Sequence, residues 1–187
     1  YMVEGGSSKD FSLVKRMGFE EPECLDALLE KLTEALIRYF LRMKATGVMA
    51  IQIFDSWGGA CPGSRYEAWS LRWIRRLIEA LGDDFPVILF SKGMGAYYQD
   101  WIQAGARVLS LDSSLSIDRF SELPGRDFAL QGNLDPQLLR LDPSVVKTAT
   151  SEILGREAPR KGHIFNLGHG ILPDARIASV EAMLETV

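Results

Sequence analysis

Polar and glycine-rich clusters that contain chemically useful side chains stand directly after short apolar runs in this sequence. They lie at residues 55–59, 91–93, 112–114, 131–133 and 168–170. Among them, Asp55 and Asp112 suit a carboxylate pair for acid–base work, or each accepts N–H bonds from its own loop. Lys92 suits either binding a carboxylate or neutralising a neighbouring acid.

Two further side chains in these clusters have both a structural and a functional interpretation. Spacing alone favours a hydrogen-bonded structural role for His169, although an imidazole also exchanges a proton near neutral pH. Ser56 alone is typical of a loop or cap hydroxyl. His163 stands at the start of its apolar run, away from the clusters, and is interpreted as structural.

The elements that position these clusters alternate regularly. Continuous apolar runs are typical of strands buried on both faces of a parallel sheet, and we predict such strands near residues 48–54, 87–90, 108–111, 128–130 and 164–167. Helical spacing between them predicts helices near residues 22–46, 66–82, 97–105, 143–155 and 177–187. Residues 1–3 are predicted to be the end of a further strand.

Strict alternation of strands and helices means a parallel α/β sheet with right-handed crossovers, either doubly wound and open or closed as a barrel. No Gly-x-Gly-x-x-Gly fingerprint follows a strand. A barrel brings the carboxyl ends of all its strands to one mouth, where the polar clusters would meet. An eight-stranded barrel usually needs about 250 residues. The 187-residue chain is therefore either an open sheet or most of the second half of a barrel.

Composition excludes several classes of protein. The chain is 47% hydrophobic and 25% charged, which suits a folded globular protein. No apolar run reaches the roughly 18 residues of a membrane span, and no secretion signal opens the chain. A net charge of −4 argues against binding nucleic acid or a membrane surface. Cys24 and Cys61 lack metal-ligand spacing, so we expect no zinc site and a reducing, intracellular compartment.

Four motifs resemble, in order and interval, the motif series of the uroporphyrinogen decarboxylase family. They are residues 1–9 (YMVEGGSSK), 54–59 (FDSWGG), 131–136 (QGNLDP) and 165–171 (FNLGHGI). The resemblance spans residues 1–187 but only the C-terminal part of the family's single-domain (β/α)8 TIM barrel. It implies about five parallel strands with helices, with Tyr1 at the end of strand three and the N-terminal strands missing. Since the chain also does not begin with Met, we expect an N-terminal truncation.

The resemblance implies a lyase of porphyrin and haem biosynthesis. The family removes the carboxyl groups of the four acetate side chains of uroporphyrinogen III to give coproporphyrinogen III, without a metal or an organic cofactor. It implies substrate contacts at Tyr1, Ser56 and His169. Since an imidazole also suits proton delivery, we predict that His169 is catalytic as well. The family's central aspartate and carboxylate-binding arginines belong to the N-terminal part. The full-length protein is expected to be a homodimer in the cytoplasm, or in a plastid.

Two alternatives of other kinds remain at this point. One is a corrinoid-linked zinc methyltransferase of the same superfamily, which needs a thiolate-rich metal site. The other is a non-catalytic fragment that binds a tetrapyrrole. The isolated chain is itself expected to be inactive and to self-associate, because an open half-barrel exposes sheet edges and apolar surface.

Overall fold

A computed structural model describes residues 1–93, 95–121, 123, 127–157 and 162–187. One parallel sheet contains the strands, which are β1 (Ile51–Asp55), β2 (Val87–Ser91), β3 (Val108–Ser110), β4 (Ala129–Gln131) and β5 (His163–Ile164). The predicted strands are therefore confirmed, with ends shifted by a few residues. An isolated bridge between Leu134 and Leu167 continues the pairing beyond β5.

Helices connect successive strands and also precede the first one. They are α1 (Ser12–Glu20), α2 (Pro22–Ala45), α3 (Arg72–Leu81), α4 (Tyr98–Gln103), α5 (Ile117–Ser121), α6 (Pro143–Glu157) and α7 (Ile177–Thr186). A π-helical turn, Glu67–Leu71, runs directly into α3. No helix in the described ranges combines the length and the apolar composition needed to cross a membrane.

Strand order decides between the open sheet and the barrel. Neighbours in the sheet are β1-β2-β3-β4-β5, all parallel and all in chain order. A doubly wound sheet reverses its strand order at a switch point, and the described sheet has no such reversal. A sequential order with helical connections is the arrangement of a (β/α)8 barrel, so the prediction of a partial barrel is confirmed.

The two faces of the sheet differ sharply. Ile53, Leu89, Leu109 and Leu130 are aligned by the register, are buried, and pack with the helices into the hydrophobic core. Alternation along each strand sends the next residues to the opposite, inner face. On this inner face, the register places side by side the residues Phe54, Phe90, Ser110, Gln131 and Ile164. The inner face therefore mixes aromatic and polar side chains.

Two local expectations were wrong or incomplete. Tyr1–Val3 was predicted to end a strand but lies in a turn, in which the Gly5 amide donates to the Tyr1 carbonyl at 2.9 Å. A strand needs a neighbour for its ladder of hydrogen bonds, and the described sheet offers these residues none. Helix α1 was not predicted. It is a short helix that is held by packing, since Gly18 lies against the Trp69 ring.

Candidate active site

A hollow of about 490 Å³ lies on the inner face, at the carboxyl ends of the strands. Ser56 and His169, two of the three predicted substrate contacts, both line it, although 113 positions separate them in the chain. The lining residues are Gln52, Phe54, Ser56, Phe90, Ser110, Asn166, Leu167, His169, Gly170 and Ile171. In barrels of this kind, the carboxyl ends of the strands are where active sites are built.

The imidazole of His169 has a defined local environment. The Gly170 amide donates to its Nδ1 at 2.6 Å. Because Nδ1 accepts, the neutral ring carries its hydrogen on Nε2, which is then the donor available to a ligand. The Phe90 ring meets the imidazole edge-on, with 6.1 Å between ring centres.

Residues 168–170, which carry His169 and are called the histidine loop below, contact the turn that follows β3 through Gly168. A Cβ atom at Gly168 would lie 2.3 Å from the Ser113 backbone nitrogen and 2.8 Å from its Cα. Only a residue without a side chain permits so close an approach. The position of His169 therefore depends on the turn after β3.

Ser56 is half-buried and stands at the start of the turn after β1. The next residue, Trp57, is 54% exposed and packs against the Phe11 ring at 5.2 Å between centres. Tyr1, the third predicted substrate contact, is 59% exposed and meets Trp57 edge-on at 6.4 Å. Tyr1 lies outside the lining of the hollow and beside the residue that follows Ser56. Its contact with substrate remains a prediction.

Asp55 points away from the hollow, into a hydrogen-bond network on the helix side of the sheet. The Tyr66 hydroxyl donates to Asp55 Oδ2 at 3.0 Å, and the Ser91 hydroxyl lies 2.9 Å from the same oxygen. Trp101 Nε1 donates in turn to the Tyr66 hydroxyl at 3.0 Å. Burial raises the pKa of Asp55, and the hydroxyls of Ser91, Tyr66 and Ser70 oppose that rise.

Asp112 is held differently, after β3. The amides of Gly93 and Ser114 donate to its carboxylate at 2.7 and 2.8 Å. Burial alone would raise the pKa of Asp112, but these hydrogen bonds and the charge of Lys92 together lower it. The two aspartates thus have separate partners, and Asp112 matches the loop-acceptor interpretation. Lys92 acts on Asp112 as a neutralising charge.

A polar layer that was not predicted from the sequence lies at the inner face of the sheet, beside the hollow. The Gln131 amide nitrogen lies 3.0 Å from Ser110 Oγ and 3.2 Å from Gln52 Oε1, so it reaches across the sheet from β4 to β1. Gln131 and Ser110 are both 3% exposed. The signal was present, because Gln52 and Ser110 interrupt apolar runs and Gln131 directly follows one. They form a neutral, hydrogen-bonding floor.

The remaining histidine and the two cysteines lie outside the lining of the hollow. His163 Nε2 donates to the Gly132 carbonyl at 2.7 Å, which ties β5 to the turn after β4. Cys24 is exposed on α2. Burial, followed by the charge of Asp55, raises the pKa of the Cys61 thiol to about 11. Within the described ranges, no group of three or more His, Cys, Asp and Glu side chains is placed to hold a metal ion.

Parallel strands in chain order, with glycine-rich and polar turns meeting over one hollow, define a βα-barrel protein with a candidate site at the carboxyl ends of its strands. The chain belongs to the uroporphyrinogen decarboxylase (URO-D) family, whose model matches residues 1–187.

Curated relatives carry the same family name. Uroporphyrinogen decarboxylases from Azotobacter vinelandii and Pseudomonas aeruginosa are 41% and 40% identical over 192 residues, and the one from Magnetococcus marinus is 42% identical over 193 residues. Each match takes in 100% of this chain and 54% of the relative. The chain therefore spans about half the length of the curated relatives it matches.

A solved methyltransferase from Methanosarcina mazei has the same fold. It superposes with a TM-score of 0.78 at 20% sequence identity, over 92% of this chain and 51% of that one. At this level of identity the likeness concerns the fold alone.

Proposed function

We propose that this chain forms the Ser56 and His169 side of a uroporphyrinogen decarboxylase active site. The observation that carries the proposal is the shared hollow, because two motif residues 113 positions apart line one cavity at the carboxyl ends of the strands. The proposed reaction removes the acetate carboxyl groups of uroporphyrinogen III and gives coproporphyrinogen III.

The chemistry requires an electron sink and a proton. Protonation of a pyrrole ring creates a cation that accepts the electron pair of the breaking carbon–carbon bond as CO₂ leaves. A proton then adds to the remaining methylene carbon to form a methyl group, and the ring loses its extra proton. Each cycle thus consumes one proton net. We assign proton delivery to His169. The neutral ring first takes up the solvent proton that each cycle consumes, in place of the bond from the Gly170 amide to Nδ1, and then gives its Nε2 proton to the substrate and is neutral again.

Recognition of a substrate with many carboxylates follows from neutral donors in the hollow. Ser56 and Gln52 line it, and a serine hydroxyl or a glutamine amide can donate to a carboxylate. The described lining residues include no Lys or Arg side chain. We therefore expect the carboxylates to be neutralised by cationic residues outside this lining, consistent with the family's arginines in the N-terminal part.

The remaining proposals concern the whole protein. We propose that the complete enzyme is a homodimer of the cytoplasm or of a plastid, and that its catalytic aspartate and arginines lie in the N-terminal part. We also propose that the 187-residue chain alone gives no turnover. The hollow is bounded by only one sheet in the described structure, so a substrate would remain open to water.

The test is a chimera in which this chain replaces the matched segment of the Azotobacter vinelandii enzyme. We expect the chimera to convert uroporphyrinogen III, with products resolved by chromatography of the oxidised porphyrins. His169→Asn should lower turnover roughly 100-fold, which is the usual contribution of one acid–base group. His163→Asn is the matched control, because the chain's other histidine bonds to the Gly132 carbonyl.

Three outcomes would count against the proposal. Unchanged turnover and product distribution in His169→Asn would remove the assigned role of that residue. A folded chimera that binds the porphyrinogen without releasing CO₂ would support the non-catalytic alternative. One equivalent of zinc per chain in the purified chimera would support the methyltransferase alternative.

A further inference from the structure

The turn that carries Ser56 is anchored on both sides to one hydrogen-bonded pair, Asp55 and Ser91. On the strand side, the Ser91 hydroxyl lies 3.0 Å from the Asp55 carbonyl oxygen and 2.9 Å from Asp55 Oδ2. Ser91 is only 1% exposed. One hydroxyl on β2 therefore contacts both the backbone and the side chain of the residue that directly precedes Ser56.

The other side of the turn returns to the same two groups. A Cβ atom at Gly58 would lie 2.3 Å from Asp55 Oδ2 and 2.4 Å from Ser91 Oγ. The Gly58 backbone is therefore pressed directly onto the pair. Ser56 and Trp57 occupy the two positions between these anchors, so little freedom remains for the Ser56 backbone.

A second layer holds the anchor itself in place. The Tyr66 hydroxyl donates to Asp55 Oδ2 and accepts from Trp101 Nε1, at 3.0 Å in each case. Tyr66 and Trp101 are both 0% exposed. The orientation of the Asp55 carboxyl is thus fixed by groups from the turns and helices that follow both β1 and β2.

None of these anchoring side chains lines the hollow that contains Ser56 and His169. Asp55 faces a separate cavity of about 190 Å³ on the helix side. Direct contact with a substrate in the hollow is therefore not their role. We expect their effect on the reaction to pass through the backbone of the Ser56 turn, to which both Ser91 and Asp55 are bonded or joined.

We propose that Ser91, acting with Asp55 and Tyr66, is a positioning residue that holds the Ser56 hydroxyl in place for a substrate carboxylate. The identity of the substrate in this inference rests on the proposed function. The anchoring of the Ser56 turn rests on the hydrogen bonds alone. Because Ser56 binds the substrate while His169 delivers the proton, loss of the anchor should raise KM and leave kcat nearly unchanged.

The experiment compares Ser91→Ala with Ser179→Ala in the chimera. Ser179 is a matched control, since it is also fully buried and its hydroxyl donates to the Leu141 carbonyl at 2.7 Å, but it lies on α7. We expect Ser91→Ala to raise KM for uroporphyrinogen III by about three- to tenfold. This change corresponds to losing part of the binding free energy of one charge-assisted hydrogen bond. Ser179→Ala should leave KM unchanged.

A double variant separates positioning from general loosening. In a Ser56→Ala background the hydroxyl that Ser91 positions is gone, so adding Ser91→Ala should change KM no further. Tyr66→Phe removes the hydroxyl that donates to Asp55 Oδ2 but leaves Ser91 in place, so it should raise KM by less than Ser91→Ala does. An equal KM increase in Ser179→Ala, or a full additional increase in the Ser56→Ala background, would overturn the proposal.

Hydrogen exchange provides a readout that does not depend on turnover. The amides of Ala60 and Cys61 donate to the Trp57 and Gly58 carbonyls at 2.8 and 3.0 Å, so they report on the order of the turn. Ser91→Ala should accelerate exchange in residues 56–61, and Ser179→Ala should not. If the chimera fails to decarboxylate, the proposed function fails while this measurement still decides the anchoring. Unchanged exchange in Ser91→Ala would overturn the anchoring.

Discussion

Two aspartates at the carboxyl ends of strands in the same sheet have opposite shifts of pKa: Asp55 ends β1, and Asp112 follows β3. Burial raises the pKa of Asp55, whose partners are hydroxyls. The amides of Gly93 and Ser114 hold the Asp112 carboxylate, and its pKa is lowered despite its burial. Residue type and position after a strand do not distinguish the two, whereas the available donors do.

Asp112 should stabilise the fold only where it is ionised. Because its pKa is lower in the folded chain than in the unfolded one, its contribution is complete above about pH 4 and is lost as the pH falls through the folded-state pKa. Asp112→Asn should therefore lower the free energy of unfolding at pH 7 by about 1–3 kcal/mol, with the difference shrinking below about pH 4.

Urea unfolding of the chimera between pH 3 and 7 measures this effect, with Asp10→Asn as the control. Asp10 is exposed in the segment before α1. A difference between Asp112→Asn and the parent protein that stays constant down to pH 3 would contradict the assigned hydrogen-bonded carboxylate.

At the scale of elements, the position of the histidine loop depends on packing between turns. Gly168 meets the Ser113 backbone so closely that a methyl group must displace one of the two turns. Gly170 lies on the other side of His169, and a Cβ atom added there would meet no other part of the described structure within 4 Å. Gly168→Ala should destabilise the chimera by about 1–3 kcal/mol. Gly170→Ala should change its stability by no more than about 0.5 kcal/mol.

Thermal and urea unfolding of the two variants provide the comparison. Equal stability of Gly168→Ala and Gly170→Ala would show that the turn after β3 does not support the histidine loop. Because the two glycines flank the same residue, a difference between them reports the contact with Ser113 rather than a general effect of adding a methyl group.

Much of the element scale was predictable from sequence. The apolar runs located all the described strands, because strands of a parallel sheet are covered on both faces. Pro22 opens α2 as predicted, and Gly82, at φ 83°, follows α3 at its predicted end. Helix α1 was missed because a nine-residue helix depends on packing, here of Gly18 against Trp69, more than on its own sequence.

The candidate site was predictable only in part. The shared hollow of Ser56 and His169 follows from the rule that strand ends converge, together with motif resemblance. The direction of Asp55 was also accessible, since it continues the alternation of Ile51 and Ile53 toward the helices. The partners Tyr66 and Ser91 were not, because their contacts depend on how π-helical turn, helix and strand dock in three dimensions.

At the scale of the whole molecule, the inner face carries large apolar groups without a cover in the described structure. Phe54 is 67% exposed on this face, and Met49, just before β1, is 86% exposed. We expect the 187-residue chain to self-associate in solution, because burial of such surface is favourable. Phe54→Glu should reduce the association. Tyr39→Glu should have little effect, because Tyr39 is 57% exposed on α2 and is not part of the inner face of the sheet.

Analytical ultracentrifugation across a concentration series measures the association. A monodisperse monomer of the parent chain that melts cooperatively would contradict the expectation. An equal reduction by Phe54→Glu and Tyr39→Glu would show that added charge, and not the inner face, controls the association.

The strict chain order of the strands has a consequence for how the protein is made. Each of the strands β2 to β5 pairs with the strand synthesised immediately before it. Every new ladder closes a loop of only a few dozen residues, so the entropy lost in each step stays small. Assembly can therefore proceed vectorially as the ribosome releases the polypeptide, and the nascent sheet extends at its growing edge without waiting for the distal end of the chain.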